Sequence, residues 1–568
     1  MTSLSGQGRL RARRFAAALG AVCTLSATAT RAEPAKRADA FVDSIGVNVH
    51  FLYSNYIDNL DTVMLRIEEI GLRHYRDGVL LDDPPLLQRL ARAKAAGATG
   101  CFITRPTQFP AIIEWAKAAA EYVDTLEGPN EPHNEEESSV YEGLEQPASL
   151  KPYQQDLYAA VRAEPALAHV LVATPGIDWF GGYLSVGDLG QWTDLGNFHH
   201  WPPSTGLQQN GMNKGNAPTD GLYKDRGGGP GLLDSARAMA TGKPLIATET
   251  GFSTTQIPAT QDNGWDPGVS DAAAARYATR VFFELFNNGV KRTYLYELLD
   301  EWDTPQPVKQ HQGMIRQDGT LKPHGVALKN AIGILTDPGP EHTPGSLDFE
   351  LTSAAPLVDD HDHRTAEIHH VLLQKRSGAF YLVLWNEALS YDNLTEQDLV
   401  VADQEVKVKL NAPIERARAF RPLESGEAQA TFQNPTELTL MVPDHPLIVE
   451  LNPPGTVVEE PAGSGGAGGS GGAPATPGAA GTPGTAGGAS GLPGGGTPGM
   501  TPAQAGSSGI AGTGATPAGA TNGATAAASG SEPGGCACAL RGSTTSREGP
   551  WALGLLALYR LRRRRSGD

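Results

Sequence analysis

The chain has 568 residues and a formal net charge of −18, with 63 acidic and 45 basic side chains. This acidic balance, without a Lys/Arg-rich face in the globular part, does not favour a nucleic-acid partner. Residues 461–531 contain no Asp, Glu, Lys or Arg, and their Gly, Ala, Pro, Thr and Ser bury too little apolar surface to fold. About 420 residues remain, which is enough for one large and one small domain.

The first 32 residues are predicted to be a signal peptide. Four arginines between residues 9 and 14 precede the apolar run 15–29, and small residues follow it. A basic segment, an apolar segment and a small-residue cleavage region in this order are typical of export signals. We therefore expect an exported protein, either on the cell surface in association with the outer membrane or in the extracellular space.

The last 34 residues combine three features: Cys536-Ala-Cys538, the apolar run 551–561 and the arginines 562–565. The apolar run is shorter than the roughly 20 residues of a membrane span. The order of the three features resembles the C-terminal sorting signals of myxobacterial surface proteins. This resemblance implies membrane attachment through the tail and a sorting or processing protease at the Cys motif. A metal or disulfide pair at the two cysteines is the alternative, but their spacing does not favour zinc.

Between residues 43 and 335 short β-rich runs alternate with helical patterns. One helical pattern places apolar residues between 60 and 70 at i, i+3 and i+4, as on a one-sided apolar face. Gly71 follows this segment, where a left-handed helix cap is favoured. Eight such alternations predict a (β/α)8 TIM barrel. The predicted strands are 44–51, 72–77, 99–105, 122–127, 170–174, 195–199, 244–249 and 290–297, and the further helices are 84–96, 110–120, 150–163, 232–240 and 271–288.

The pattern changes after residue 339, where no long amphipathic helix follows. Runs such as 366–374, 405–410 and 437–442 are strand-like, several alternate polar and apolar residues, and turn residues separate them, which predicts a small all-β sandwich. The sandwich is expected to support the barrel, and direct sugar binding is the alternative. The predicted domains are a signal peptide (1–32), a catalytic barrel (41–338), a β-sandwich (339–453), a disordered linker (454–534) and a sorting tail with a short hydrophobic segment (535–568).

Two glutamates lie at the ends of apolar runs that predict buried strands. Glu131 occurs in Asn130-Glu131-Pro132 after the fourth predicted strand, and Glu249 ends the seventh. Barrels of this type carry their reactive groups where strands end and βα loops begin. Two carboxylates in one pocket are the minimum for hydrolysing a glycosidic bond. The alternatives are a helix cap for Glu131 and an ordinary salt bridge for Glu249.

With these motifs after strand four and on strand seven, residues 43–335 resemble clan A glycoside hydrolases, the retaining (β/α)8 group. The appended sandwich is similar to that of families 39 and 30 and of some family 5 enzymes. The resemblance implies a retaining glycosidase that cleaves β-glycosidic bonds in a polysaccharide or oligosaccharide, with Glu131 as acid/base and Glu249 as nucleophile. A surface protein that binds glycan on the same barrel without cleaving it is the alternative, and a purely structural surface protein is a third.

The resemblance also implies substrate-binding residues. Arg76, at the end of strand two, matches the arginine that holds the nucleophile, with an ion pair to Asp77 or another carboxylate as its alternative. Asn130 matches the asparagine that binds the sugar 2-hydroxyl, with helix capping as its alternative. Four long loops, among them 202–231, are expected to set the sugar subsites. The histidines lack metal-ligand spacing and no phosphate-binding loop occurs, so neither a metal nor another cofactor is expected.

Two segments depart from the pattern of the clan. His199-His200-Trp201 lies where clan members carry a His-x-Tyr-Pro segment. Trp201 replaces the tyrosine, so the hydroxyl that would bond to the nucleophile is missing. Either histidine takes over this contact, or both are ordinary core histidines. On strand eight, Tyr296 or Trp302 is expected to replace the tryptophan that forms the floor under the sugar. The neighbouring acidic residues are expected to form a solvated loop or to bind sugar hydroxyls: Glu297, Asp300, Glu301 and Asp303.

Overall fold

A computed structural model of the chain describes residues 32–133, 139–177, 185–202, 219, 222–223, 230–255, 268–301, 311–357, 367–392 and 395–456. The predicted signal peptide and linker lie outside these residues except at their inner ends. The sorting tail, Trp302 and Asp303 lie wholly outside them. None of the helices in the described ranges has the length and apolar content that a membrane crossing requires.

Eight parallel strands form the predicted barrel, and each overlaps one of the predicted strands. The strands are β1 Ile45–Asn48, β2 His74–Asp77, β3 Thr99–Ile103, β4 Val123–Glu127, β5 Leu171–Ala173, β6 Gly196–His200, β7 Leu245–Thr250 and β8 Val290–Leu295. Their order in the sheet is β5-β4-β3-β2-β1-β8-β7-β6, and a parallel bridge between Ala173 and Leu195 joins the two ends of this sheet. The fold prediction is therefore confirmed for the barrel.

Helices follow most of these strands, at the positions that the apolar spacing predicts. In α3 the buried residues are Val63, Met64, Ile67 and Ile70, and Gly71 closes the helix with φ +83° in the left-handed region. The helices are α1 Ala38–Asp43, α2 Ser54–Asp58, α3 Leu60–Ile70, α4 Pro84–Ala95, α5 Ala111–Ala118, α6 Leu150–Ala163, α7 Leu232–Met239, α8 Asp271–Asn287 and α9 Pro323–Leu335.

The barrel strands are buried almost throughout. All residues of β1, β2, β6 and β7 are buried, because one face of each strand fills the barrel and the other packs on the helices. Polar side chains in these strands lie away from water and therefore need partners inside the protein. This requirement shapes the network at the carboxyl ends of the strands.

Two sheets after the barrel form the predicted sandwich. Their strands are β9 Phe349–Ser353, β10 Glu367–Gln374, β11 Phe380–Glu387, β12 Gln404–Leu410, β13 Arg416–Phe420, β14 Ala428–Gln433, β15 Glu437–Val442 and β16 Leu447–Asn452. One sheet has the order β9-β12-β15. The other has the order β14-β13-β16-β11-β10, and the short strand Lys36–Arg37 extends it. A shared core lies between the sheets and includes Val406 and Leu440 from the first and Leu382 and Val449 from the second.

The larger sheet also packs against the barrel, through α8. Trp385 of β11 is fully buried, and its ring centroid lies 6.1 Å from that of Phe283 in α8. Trp385 belongs to the same apolar cluster as the barrel core. The barrel and the sandwich lie within one compact unit of the chain.

Candidate active site

The carboxyl ends of the barrel strands bring together a buried group of charged side chains. Each of its members is at most 1 % exposed. Arg76 lies in β2 and Glu127 ends β4, while Asn130 and Glu131 follow β4. His199 lies in β6 and Glu249 lies in β7. Five of these six were singled out from the sequence, and Glu127 was not.

Arg76 lies at the centre of this group. Its Nε and Nη2 donate to the two oxygens of Glu127, at 2.6 and 2.9 Å. Its Nη1 donates to Glu249 Oε1 at 2.6 Å and to Asn48 Oδ1 at 3.0 Å, and Nη2 also donates to Asn130 Oδ1 at 2.6 Å. These bonds use all five N–H donors of the guanidinium.

Asp77, the alternative ion-pair partner that the sequence offered for Arg76, is held by backbone N–H groups instead. The Asp77 carboxylate accepts the backbone N–H groups of Phe51 at 3.0 Å and Gly78 at 2.7 Å. Burial raises the pKa of Asp77 to about 8, although these hydrogen bonds and the charges of Arg76 and Arg89 oppose the rise. The ion pairs of Arg76 are made with Glu127 and Glu249 instead.

Glu127 is a buried counter-charge that the sequence analysis did not identify. Besides Arg76, Asn197 Nδ2 donates to its Oε1 at 3.0 Å and Thr248 Oγ1 donates to the same oxygen at 3.1 Å. Burial alone would raise the pKa of Glu127, but Arg76 and His199 lower it to about 2. Glu127 is therefore ionised and holds Arg76 in place.

Glu131 and Glu249 approach each other across the pocket. One oxygen of Glu131, one oxygen of Glu249 and one ring nitrogen of His199 all lie within 4.8 Å of one another. Arg76 occupies Glu249 Oε1 at 2.6 Å, while Glu249 Oε2 lies 3.6 Å from His199 Nδ1. The two carboxyl groups therefore face a common space in which a substrate atom could lie.

The backbone at Glu131 adopts an unusual conformation. Its φ of +34° is uncommon for a residue with a side chain, and its N–H donates to the Gly176 carbonyl at 2.9 Å. A Cβ on Gly176 would lie 2.4 Å from His199 Nε2 and 2.8 Å from Glu127 Oε1. Only a glycine at position 176 lets this loop approach β4 and β6 closely enough to fix Glu131.

His199 lies between the carboxylates. Its Nδ1 is 2.8 Å from Glu131 Oε1 and its Nε2 is 3.1 Å from Thr248 Oγ1. Burial would lower the pKa of His199, but Glu249, Glu127 and Glu131 together raise it to about 10. The imidazole is therefore protonated at neutral pH and acts as a second cation beside Arg76. His200, the next residue of β6, is also fully buried.

Two aromatic side chains pack together beside the end of β7. Trp201 and Tyr296 meet edge to face with centroids 5.8 Å apart. A Cβ on Gly251, two residues after Glu249, would lie 3.1 Å from the Trp201 ring and 2.4 Å from the Tyr296 carbonyl. Tyr296 thus lies beside the end of β7, whereas Trp302, the other candidate for the sugar platform, lies outside the described residues.

The acidic residues after β8 do not form a solvated loop, so that expectation was wrong for the three that the structure describes. Glu297, Asp300 and Glu301 are at most 3 % exposed. Asp300 forms an ion pair with Lys322 at 2.7 Å, and Glu297 accepts a hydrogen bond from the Tyr56 hydroxyl at 3.0 Å. These carboxylates are buried because the chain after β8 turns back over the barrel through contacts such as Met314 N–H to the Glu297 carbonyl at 2.9 Å.

His50, just beyond β1, is a further pocket residue that the sequence analysis missed. Its Nε2 lies 2.9 Å from the Tyr296 hydroxyl and 3.5 Å from Glu297 Oε2, and its ring stacks on Tyr53 at 4.5 Å. No motif marks this position, and only the closure of β1 against β8 brings it to the site.

Two sets of described residues hold potential metal donors within 4.8 Å of one another: His50 with Glu297 and Glu301, and Glu131 with His199 and Glu249. In the second set the guanidinium of Arg76 and a protonated His199 already supply positive charge, which disfavours a cation. Such sets could not be recognised from sequence spacing, because their members come from different strands.

No protein-family model matches the chain, and no curated protein matches its sequence. Solved structures with a similar chain path include a family 39 glycoside hydrolase from Bacteroides cellulosilyticus, with a TM-score of 0.49 and 13 % identity over 74 % of this chain and 83 % of that one. A glucosidase from Croceicoccus marinus has a TM-score of 0.43 and 10 % identity over 68 % and 91 % of the two chains.

A family 1 β-glucosidase from Thermotoga maritima has a TM-score of 0.35 and 10 % identity over 51 % of this chain and 96 % of its own. These structural neighbours are glycoside hydrolases by name. The similarity concerns the fold, and the function of this chain has to rest on the geometry of its own site.

Proposed function

We propose that the protein is a retaining glycoside hydrolase that cleaves β-glycosidic bonds in a polysaccharide or oligosaccharide. The observation that carries the proposal is the approach of Glu131 and Glu249, whose oxygens lie within 4.8 Å with His199 beside them. Retaining enzymes separate their carboxyl groups by about 5–5.5 Å, whereas inverting enzymes need about 6.5–9.5 Å to admit a water molecule. One oxygen of Glu131 lies within 4.8 Å of one oxygen of Glu249, and this close approach favours the retaining arrangement.

In the first step Glu249 attacks the anomeric carbon. Arg76 Nη1 donates to Glu249 Oε1 at 2.6 Å and so orients this carboxyl group for the attack. The bond from the anomeric carbon to the leaving oxygen breaks, and Glu131 donates a proton to that oxygen. His199 Nδ1 lies 2.8 Å from Glu131 Oε1 and holds the acid beside Glu249.

In the second step Glu131 acts as a base. It removes a proton from a water molecule, whose oxygen attacks the anomeric carbon and displaces Glu249. The sugar is released with its original configuration, and both glutamates regain their starting protonation states. No cofactor takes part in either step.

The charges of the buried group fit these roles. Arg76 and protonated His199 contribute two positive charges, while Glu127, Glu131 and Glu249 contribute three negative charges if all are ionised. One proton on Glu131 would make the group neutral, and a neutral group is favoured because isolated charge is costly to bury. Arg76 places its positive charge beside Glu249, with Nη1 2.6 Å from Oε1.

The sugar would bind against the aromatic pair Trp201 and Tyr296. Trp201 is the partly exposed ring of this pair and suits stacking on the face of a sugar, whereas Tyr296 is buried and supports it from behind. Asn130 would bind the sugar 2-hydroxyl, and Arg76 Nη2 orients its side chain by donating to Oδ1 at 2.6 Å. His200, which is buried and precedes Trp201 in the chain, would contribute to the sugar-binding site.

We further propose that the enzyme is exported and remains attached to the outer surface of the cell through its C-terminal tail. The support is the sequence pattern of residues 1–32 and 535–568. A protease that acts at the Cys motif would process the tail.

The test is activity of the purified protein on a panel of aryl β-glycosides and plant, fungal and bacterial β-glycans. Glu249→Gln and Glu131→Gln should each lower kcat by about 10²–10⁴-fold, the usual contribution of such groups. The matched control is Glu121→Gln, the same chemical change at an exposed position. Proton NMR of the first product should show the β-anomer.

Other outcomes would contradict the proposal. An initial α-anomer would mean inversion, and full activity in both glutamine variants would exclude these glutamates as the catalytic pair. Binding of a glycan without turnover by the wild-type protein would support the glycan-binding alternative.

A further inference from the structure

Strand β7 contains a bulge at Thr248, directly before Glu249. Phe198 of β6 pairs with Ala247 of β7, and the next residue, His199, pairs with Glu249. Thr248 is therefore an extra residue on β7 between two paired positions. Side chains normally alternate between the two faces of a strand, and a bulge interrupts this alternation. The bulge accordingly allows Thr248 and Glu249, although neighbours in sequence, both to contact the buried charged group.

The Thr248 hydroxyl makes three polar contacts. Its Oγ1 is 2.8 Å from Asn197 Oδ1, 3.1 Å from Glu127 Oε1 and 3.1 Å from His199 Nε2. All four side chains are fully buried. A hydroxyl carries one proton and two acceptor lone pairs, so this one can donate to one of the two oxygens and accept from the ring nitrogen. It therefore links the imidazole of His199 to the carboxylate that holds Arg76.

The backbone of Thr248 is held separately from its side chain. Its N–H donates to Asn197 Oδ1 at 3.2 Å, and its carbonyl accepts from Asn48 Nδ2 of β1 at 3.1 Å. Arg76 Nη1 donates to Glu249 Oε1 at 2.6 Å. None of these three bonds uses the Thr248 hydroxyl, so a variant without the hydroxyl keeps them and with them the position of Glu249.

The orientation of the His199 ring depends on contacts at both of its nitrogens. Nδ1 lies 2.8 Å from Glu131 Oε1, and Nε2 lies 3.1 Å from the Thr248 hydroxyl. The torsion that turns an imidazole has broad energy minima, so contacts with neighbouring side chains fix the ring. Glu127 Oε1 lies 4.0 Å from Nε2. Without the hydroxyl, the ring would turn toward Glu127 and Nδ1 would move away from Glu131.

The geometry points to Thr248 as a positioning residue: its hydroxyl fixes the imidazole of His199, and the imidazole fixes Glu131, the proposed acid/base. This inference rests on the proposed glycosidase function. Loss of the hydroxyl weakens proton donation by Glu131 to the leaving group and leaves the attack by Glu249 nearly unchanged. Substrates with basic leaving groups need that proton, whereas substrates whose leaving groups depart as stable anions do not. The loss should therefore depend on the leaving group.

The experiment uses the full-length protein and the phenyl and dinitrophenyl β-glycosides of a sugar that the wild-type enzyme cleaves. Thr248→Val removes the hydroxyl and keeps the branched shape of the side chain. It should lower kcat/KM for the phenyl glycoside by about tenfold, as expected for the loss of one buried hydrogen bond. For the dinitrophenyl glycoside kcat/KM should stay within about twofold of the wild type, because this leaving group needs little acid catalysis.

Two further variants separate positioning from a general loss of structure. Thr248→Ser keeps the hydroxyl and should restore kcat/KM for the phenyl glycoside. The matched control is Thr193→Val, which removes another buried hydroxyl, one that donates to the Leu195 carbonyl at 2.7 Å just before β6 begins. This control should leave both values near those of the wild type. If Thr248→Val does not fold, Thr248→Ala removes the same hydroxyl and makes the same comparison.

Crystal structures of the variants supply a measurement that does not depend on activity. In Thr248→Val the distance from His199 Nδ1 to Glu131 Oε1 should exceed about 3.5 Å, the limit of a hydrogen bond, whereas Thr248→Ser should keep it near 2.8 Å. An unmoved ring would overturn the inference whether or not the protein is a glycosidase. A moved ring with an equal loss on both glycosides, or with no loss, would overturn the link to acid catalysis. Absence of any turnover by the wild type would overturn the proposed function.

Discussion

At the scale of single residues, the charge state of His199 follows from its neighbours. Glu249 and Glu127 face a buried imidazole together with the carboxyl group of Glu131, and their combined effect raises the pKa of His199 despite the cost of burying a cation. Thr248 completes the arrangement because its hydroxyl lies within hydrogen-bond distance of both His199 and Glu127. Protonated His199 therefore stabilises the folded state as well as the candidate site.

This arrangement predicts how stability changes with pH. The pKa of His199 is raised to about 10 in the folded protein, from about 6.5 in an unfolded chain. Its contribution is therefore fully present below about pH 6.5 and is lost as pH rises through about 10. The apparent Tm of the wild type should fall by at least about 2 °C more between pH 6 and pH 9.5 than that of His199→Gln, when both are measured at one scan rate. Parallel pH profiles would contradict the proposed protonation state.

Sequence reasoning identified the residues of this group that a motif marks. Glu131 and Glu249 were found because Asn-Glu-Pro and the strand-end position draw attention to them. Glu127, His50 and Gly176 were missed. Their importance depends on side chains from other strands, such as Arg76 against Glu127, and a single sequence does not show which residues meet across a barrel.

At the scale of elements, the two ends of the barrel strands carry different polar groups. At the start of the strands, Asp124 of β4 accepts from Arg292 of β8 at 3.0 Å and from Thr99 of β3 at 3.1 Å, and lies 3.0 Å from His74 Nδ1 of β2. Arg292 and His74 lower the pKa of Asp124 well below its usual range, against the effect of burial. This network joins four strands at the end opposite the candidate site.

Asp124→Ala should therefore destabilise the protein without damaging its chemistry. Removing one partner of a largely buried pair costs about 3–5 kcal/mol, because it leaves the Arg292 charge without compensation. Urea unfolding at pH 7 should show this loss, while kcat and KM of the folded fraction stay within about twofold of the wild type. A large fall in kcat with little change in stability would contradict the separation of the two ends.

Helix α8 shows why element patterns alone give an incomplete fold. Its bounds were predicted nearly correctly, at 271–288 against the observed Asp271–Asn287. Arg280 and Glu284 lie four residues apart on one side of the helix, and charged side chains so placed ordinarily meet solvent. Both are buried because that face meets the sandwich. The position of the second domain, which the helix pattern does not encode, decides what this face contacts.

At the scale of the whole molecule, a segment that precedes the barrel in the sequence pairs with the sandwich that follows it. Residues 36–37 precede the barrel, yet they pair with Leu373 and Gln374 of β10. Lys36 Nζ donates to the carbonyl of Asn287 at the end of α8 at 2.6 Å. In the described part of the chain, residues 36–37 therefore pair with the sandwich, the barrel follows, and the remaining sandwich strands come after it.

This connectivity predicts that barrel and sandwich unfold together. Trp385 of the sandwich is fully buried among barrel side chains, so Trp385→Ala should cost about 3–5 kcal/mol. Leu440→Ala, inside the sandwich core, should cost about 2–5 kcal/mol. Because the interface links the two cores, each variant should move a single urea transition, seen alike by circular dichroism and tryptophan fluorescence. Two separate transitions, with Leu440→Ala moving only one, would mean that the barrel and the sandwich are stable independently of each other.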